Sequence, residues 1–185
     1  MNVQTLQGHL LVASPKLVDP NFVETVVLMV QHNDEGALGV ILNRSTNTSI
    51  NDLWDQVSQK PCLRNDALHH GGPCEGPLMV VHRHEETSQI EVLGGVHFST
   101  EKHNVEWLVE NDNGPIKFFV GCAGWAPGQL ESELKTGSWL AAPATCDHVF
   151  RSGDDLWRQV TRQITSSMAF PPLAPEAARQ NPSLN

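Results

Sequence analysis

Apolar runs of strand length alternate along this chain with short amphipathic stretches, and turn clusters separate them. Residues 8–14 read as a first strand closed by Ser14-Pro15, and Asp19-Pro20-Asn21 as a turn. Residues 25–30 form a continuous apolar run, suited to a strand buried on both faces. Residues 32–36 read as a polar loop and residues 37–42 as another apolar strand, which predicts an antiparallel hairpin at the sheet centre. Ser49, with Asp52 three residues on, predicts a capped helix whose inner stripe is Ile50, Leu53, Trp54 and Val57. Residues 59–77 read as irregular and residues 78–82 as a strand. Residues 90–96 read as one more strand, in which Gly94-Gly95 marks a bulge or bend. Ser99 or Thr100 opens a second helix with Val105, Leu108 and Val109 inward. The apolar run 116–120 feeds a glycine-rich turn, 121–128, that opens directly into a short helix. There Pro127 suits the first turn, Leu130 and Leu134 face inward, and Gly137 is the stop. Residues 139–142 are extended, and residues 146–150 read as a final edge strand. Residues 152–155 cap a last helix carrying Leu156, Val160 and Ile164.

Few full crossover helices separate the strands. The expected fold is therefore α+β: a single compact domain with a bent, mixed, largely antiparallel β-sheet flanked by short helices. That domain spans residues 1–167, and the Pro-, Ala- and Asn-rich stretch 168–185 reads as a disordered tail.

Composition narrows the function classes. Of 185 residues 39% are hydrophobic and 18% charged, as in a globular domain. No apolar run approaches the ~18 residues of a membrane span and the start lacks a basic leader, so a cytoplasmic protein with no membrane attachment is expected. The charge of −9 reflects 21 acids against 12 bases. The bases, Lys16, Arg44, Lys60, Arg64, Arg83, Lys102 and Lys117 among them, form no cluster, which does not favour direct nucleic-acid binding. Cys62, Cys74, Cys122 and Cys146 stand 12, 48 and 24 residues apart and read as reduced, independent thiols.

Candidate chemistry is sparse. His82 and His84 alternate along a strand and could ligate a metal with His69, His70 or Glu85, but ordinary exposed histidines explain the pattern equally well, and no metal site is assigned. Glu131 and Glu133 point to nearly opposite sides of their helix and read as surface stabilisation, Glu131 reaching Lys135. There is no nucleophile elbow, zinc-protease helix or phosphate-loop lysine, so no catalytic residue and no cofactor is assigned. The best ligand candidates are the glycine-rich sites Gly71, Gly72 and Gly128. Beside them Trp125 offers a stacking face, and Asn43 and Gln129 offer amide groups.

These stretches together resemble the AlgH-like family of bacterial proteins. The resemblance is carried by residues 8–15, Phe22 with Thr25-Val26, residues 36–44, Gly71-Gly72-Pro73, the G-W-x-P-G-Q-L-E-x-E segment within 121–139, Phe150 and Leu156-Trp157. It covers about residues 6–165. It implies a compact α+β domain with a bent or bifurcated sheet and a loose label of transcriptional regulator, and it supplies no catalytic residue. His32 and His82 fall where members often carry histidine. Cys74 departs from the valine common after Gly-Gly-Pro. The expected function is a non-enzymatic regulatory or interaction domain that binds a protein partner or a small ligand. The alternative is an enzyme or binder acting on a phosphate-containing or nucleotide-like molecule at residues 121–129.

Overall fold

The first strand, β1 (His9–Ala13), sets the layering, because Leu10 and Val12 enter one core while Leu11 and Ala13 enter another, and all four are inaccessible. A strand buried on both faces needs a layer on each side. The computed structural model describes residues 5–169 except 59, 63, 152 and 154. The chain continues through β2 (Val26–Asn33), β3 (Gly36–Ile41), β4 (Ser45–Ser49), α1 (Ile50–Val57), β5 (Ala67–His70) and β6 (Met79–His82). Next come β7 (Ile90–Leu93), β8 (Val96–Ser99), α2 (Lys102–Asn111), β9 (Lys117–Val120) and β10 (Ala123–Trp125). The last elements are α3 (Gln129–Lys135), β11 (Trp139–Pro143), α4 (Cys146–Phe150) and α5 (Leu156–Ala169).

The fold is α+β, with its strands divided between two sheets. The first has the order β10-β3-β2-β1-β11, antiparallel throughout, with β2 central and the β2–β3 hairpin as expected. The second has the order β4-β5-β9-β6-β8-β7 and is antiparallel except for the β5–β9 pair. Between the sheets lies a core built from Leu10, Leu28, Val40, Val81, Phe98 and Phe119, completed by Val149 of α4 and by Leu156 and Val160 of α5. The outer face of the first sheet packs on α3, and that of the second on α1 and α2. No helix among the described residues is long and apolar enough to cross a membrane.

Several local expectations are corrected. The loop expected over 32–36 is only Asp34-Glu35, because β2 runs to Asn33 and β3 starts at Gly36. Part of the stretch 59–77 is strand β5, which pairs with β9 in the register Leu68↔Phe118. Gly94-Gly95 turns the β7–β8 hairpin, with Gly95 at φ 73°, a role for which glycine is the default residue. Helix α2 is not opened by Ser99, which is buried in β8. Instead the Gln89 side chain accepts from the backbone N–H of Glu101 at 2.7 Å. The turn 121–128 does not open directly into a helix: its middle is β10, and Pro127 precedes the cap, Gly128. Residues 146–150 form a helix, since Thr145 and His148 close a reciprocal cap there. The Ser49–Asp52 capping box forms as expected, but Val57 is 60% exposed. Ser152 and Asp154 of the expected last cap, and the tail from residue 170, lie outside the described residues, and α5 runs to Ala169.

Candidate functional site

The glycine-rich candidates and their neighbours fall into two structural devices. Gly71-Gly72, leaving β5, cross Gly121-Cys122, which carry the chain from β9 in one sheet to β10 in the other. A Cβ on Gly71 would stand 2.2 Å from the Gly121 carbonyl oxygen, and one on Gly72 2.3 Å from that of Cys122. The backbones therefore touch directly, and the glycines make the crossing passable.

The second device holds α3 on the first sheet. Glu133 Oε2 accepts from Trp125 Nε1 at 2.9 Å and from Trp139 Nε1 at 2.8 Å, while its Oε1 accepts from Gln129 Nε2 at 2.9 Å. Gln129 Oε1 in turn accepts from the Ala126 N–H at 3.0 Å. Trp125 is 6% exposed and packs between Phe22, stacked at 6.2 Å, and the edge of Trp139 at 5.9 Å. On the opposite side of α3, Glu131 meets His32 at 2.9 Å. His32 Nδ1 accepts from the Leu6 N–H, so in the neutral ring Nε2 carries the proton that Glu131 accepts. The Glu131 carboxyl is held low by its own backbone N–H first and by His32 as a further cause. The two glutamates do point apart as expected, but each is an anchor rather than surface decoration.

Asn43 is likewise engaged. Its Oδ1 accepts from the Val26 N–H and its Nδ2 donates to the Glu24 carbonyl, both at 2.8 Å, pinning the start of β2 beside Glu24 at φ 54°. His82 is fully buried and satisfied: Nδ1 accepts from the His84 N–H, and Nε2 donates at 3.0 Å to Ser99 Oγ, which in turn donates a hydrogen bond to the Thr87 carbonyl. Burial, and then His97 beside it, push His82 down to about 4. The described residues contain no group of three or more His, Cys, Asp or Glu placed to hold a metal.

One cleft is different. About 370 Å³ in volume, it opens between the β3–β4 connection, β5, β9 and the end of α4, lined by Asn43, Ser45, Asp66, His69, Lys117 and Phe150. Lys117 is only 7% exposed, and its ammonium donates to two backbone carbonyls, Leu42 at 3.4 Å and Arg151 at 3.1 Å. Among the described residues no carboxylate lies within ion-pair distance of it. Burial pushes it down to about 8, so at neutral pH it is still largely charged. His69 is pushed down to about 4, by burial first and then by Lys117, and its buried Nδ1 has no hydrogen-bond partner. Asp66, the one acid on the wall among the described residues, is held bidentately by Arg64 at 2.8 and 3.2 Å. The cleft thus presents a cation, a neutral imidazole and a neutralised carboxylate.

Sequence reasoning missed Lys117 and His69 as a pair. The available signal was Lys117 inside the apolar run Ile116, Phe118, Phe119 and Val120: alternation places it on the same side as the fully buried Phe119.

An α+β domain of two sheets joined at a glycine crossing, with a polar cleft built around a buried lysine, is the class that this geometry defines. Comparison with known proteins gives the lineage. The chain belongs to the AlgH-like family, which matches residues 10–169. It is 32% identical to a UPF0301 protein of Chlorobaculum tepidum over 184 residues, covering 94% of this chain and 95% of that one. A UPF0301 protein of Myxococcus xanthus is 34% identical over 166 residues, covering 86% and 91%. Among solved structures, the solution structure of AlgH from Pseudomonas aeruginosa superposes with a TM-score of 0.74 at 28% identity, covering 96% and 98% of the two chains.

Proposed function

We propose that this protein is a cytoplasmic, non-enzymatic regulatory domain that binds a small anionic molecule, phosphate-containing or carboxylate-bearing, in the Lys117 cleft. The observation that carries this reading is the buried ammonium, which among the described residues meets only two backbone carbonyls and faces a cleft large enough for a small metabolite. A buried charge without a counter-ion costs stability, and an anionic ligand supplies the missing partner. His69 and Asn43 complete a wall of polar edges, while Phe150 gives it one apolar side. Gly128 and Gln129 contribute by holding α3 in place. The charge of −9 argues against direct nucleic-acid contact, so regulation through a bound small molecule suits the chain better than reading of a duplex.

Titration calorimetry with inorganic phosphate, adenosine monophosphate and citrate tests this reading. Binding by the wild type is expected at pH 7 and should weaken as the pH rises through about 8 and Lys117 loses its proton. Lys117→Met should abolish it. Binding that survives Lys117→Met unchanged, or no binding of any of the three probes, removes the proposal.

A further inference from the structure

Cys74 and Cys122 lie 48 positions apart in the chain, yet they stand directly opposite each other. Their backbones exchange both hydrogen bonds, Cys74 N–H to the Cys122 carbonyl and Cys122 N–H to the Cys74 carbonyl, each at 2.9 Å. Residues paired in this way hold their Cα atoms about 5.5 Å apart with both side chains on one face. A disulfide spans ~4.4–6.8 Å between Cα atoms, and its Cβ atoms close to ~3.5–4.5 Å from the ~4.5–5.5 Å of paired strands, an approach of about 1 Å. Strand alternation gives an independent check. Gly124, two residues beyond Cys122, presents the same face, and a Cβ there would lie 3.7 Å from Cys74 Sγ. The Cys74 thiol therefore lies over the face from which Cys122 projects.

The two thiols are not equivalent. Cys74 is exposed, whereas Cys122 is half-buried against the core between the sheets. Burial, and then the neighbouring Cys74, push the Cys122 thiol up. The other two cysteines belong elsewhere: Cys62 is buried in the core beneath α1 and α2, and Cys146 begins α4.

We propose that Cys74 and Cys122 are a redox-active dithiol that closes reversibly into a disulfide on reaction with a low-molecular-weight disulfide such as glutathione disulfide. The Cys74 thiolate attacks one sulfur of glutathione disulfide, forming a mixed disulfide and releasing one glutathione thiolate. The Cys122 thiolate then attacks Cys74 Sγ, forming the protein disulfide and releasing the second glutathione thiolate. The two protons lost by the cysteines end on the two glutathione thiols. One protein dithiol is oxidised and one glutathione disulfide is reduced. The bond locks the glycine crossing, and with it the C-terminal ends of β5 and β9.

The full-length reduced protein, incubated without oxygen in glutathione disulfide, alkylated and digested, tests this by mass spectrometric peptide mapping. The expected result is loss of alkylation at Cys74 and Cys122 together, with the two peptides cross-linked and released by dithiothreitol. Cys122→Ser should instead retain a glutathione adduct on Cys74, and Cys74→Val should show neither product. The C62S/C146S variant should behave as the wild type. A lasting glutathione adduct on wild-type Cys74 with Cys122 still alkylated would overturn the proposal, as would Cys74 bonded to a second molecule or both thiols left unmodified.

Discussion

The glycine crossing with its neighbour α3, and the Lys117 cleft, both collect residue types that bind ligands, but they differ in what those groups already touch. At the crossing, backbone meets backbone, and under α3 the Glu133 carboxylate receives two indole N–H groups and an amide. In the cleft, by contrast, the ammonium is left with backbone carbonyls and His69 Nδ1 with nothing. Buried polar groups that satisfy one another stabilise a fold, whereas those left open cost it. A residue's type marks it as a candidate, and unmet bonding beside an open cleft makes it a stronger one.

Substitutions separate the two regions. The largest effect is expected from Gly71→Ala, whose methyl meets the Gly121 carbonyl: a loss on the order of 4 kcal/mol or more, seen as failure to give soluble, cooperatively unfolding protein. Glu133→Ala leaves two buried indole N–H groups without acceptors, and urea unfolding should show a loss of about 3 kcal/mol, with phosphate binding unchanged. A binding loss there at full stability would merge the two regions and break the comparison.

Lys117→Met should act in the opposite direction. Lys117 sits near 8 in the fold against 10.5 when free, so below pH 8 the fold holds an ammonium that water would hold better. Removing it should raise stability by roughly 1–3 kcal/mol at pH 7 while binding is lost. Acid gives a further separation. His69 and His82 stay neutral in the fold down to about 4, against 6.5 when free, so their contribution is whole above pH 6.5 and is lost as the pH falls toward 4. Between pH 6.5 and 5 each should cost about 1–2 kcal/mol, and His82→Gln or His69→Gln should flatten its own share of the unfolding profile. A saturating anion offsets the Lys117 charge and favours a protonated neighbour, so it should flatten the His69 share alone. The smallest effect is expected from Gln129→Ala, about 1 kcal/mol, because only the Ala126 N–H and one oxygen of Glu133 lose a partner.

Most of the architecture was legible where burial on both faces wrote itself as unbroken apolar runs, as in β2 and β3. The elements that escaped were those whose pattern is mixed. Strand β4, Ser45–Ser49, is polar throughout because it is an edge, and β5 interrupts its apolar pattern with His69, which borders the cleft, and His70, exposed on the other face. The segment 146–150 is too short for periodicity to decide, and Thr145 with His148 decides it by capping. The candidate site was hidden for the same reason: Lys117 and His69 are 48 residues apart, on strands paired in parallel, and nothing local announces the partnership. Glycine spacing drew attention to the crossing, where Gly71 and Gly121 serve backbone contact.

The pairing of β1 with β11 bears on how the protein is made. His9 meets Pro143 and Ala13 meets Trp139, so β1 waits for a partner made far later in the chain. At a ribosomal rate of ~5–20 residues per second, the intervening ~130 residues take on the order of ten seconds to emerge. Throughout that interval one backbone edge of an apolar strand is open, a template for stray pairing with other nascent chains. Synthesis rate and holdase chaperones should therefore affect the yield of this protein alongside the stability of the finished domain.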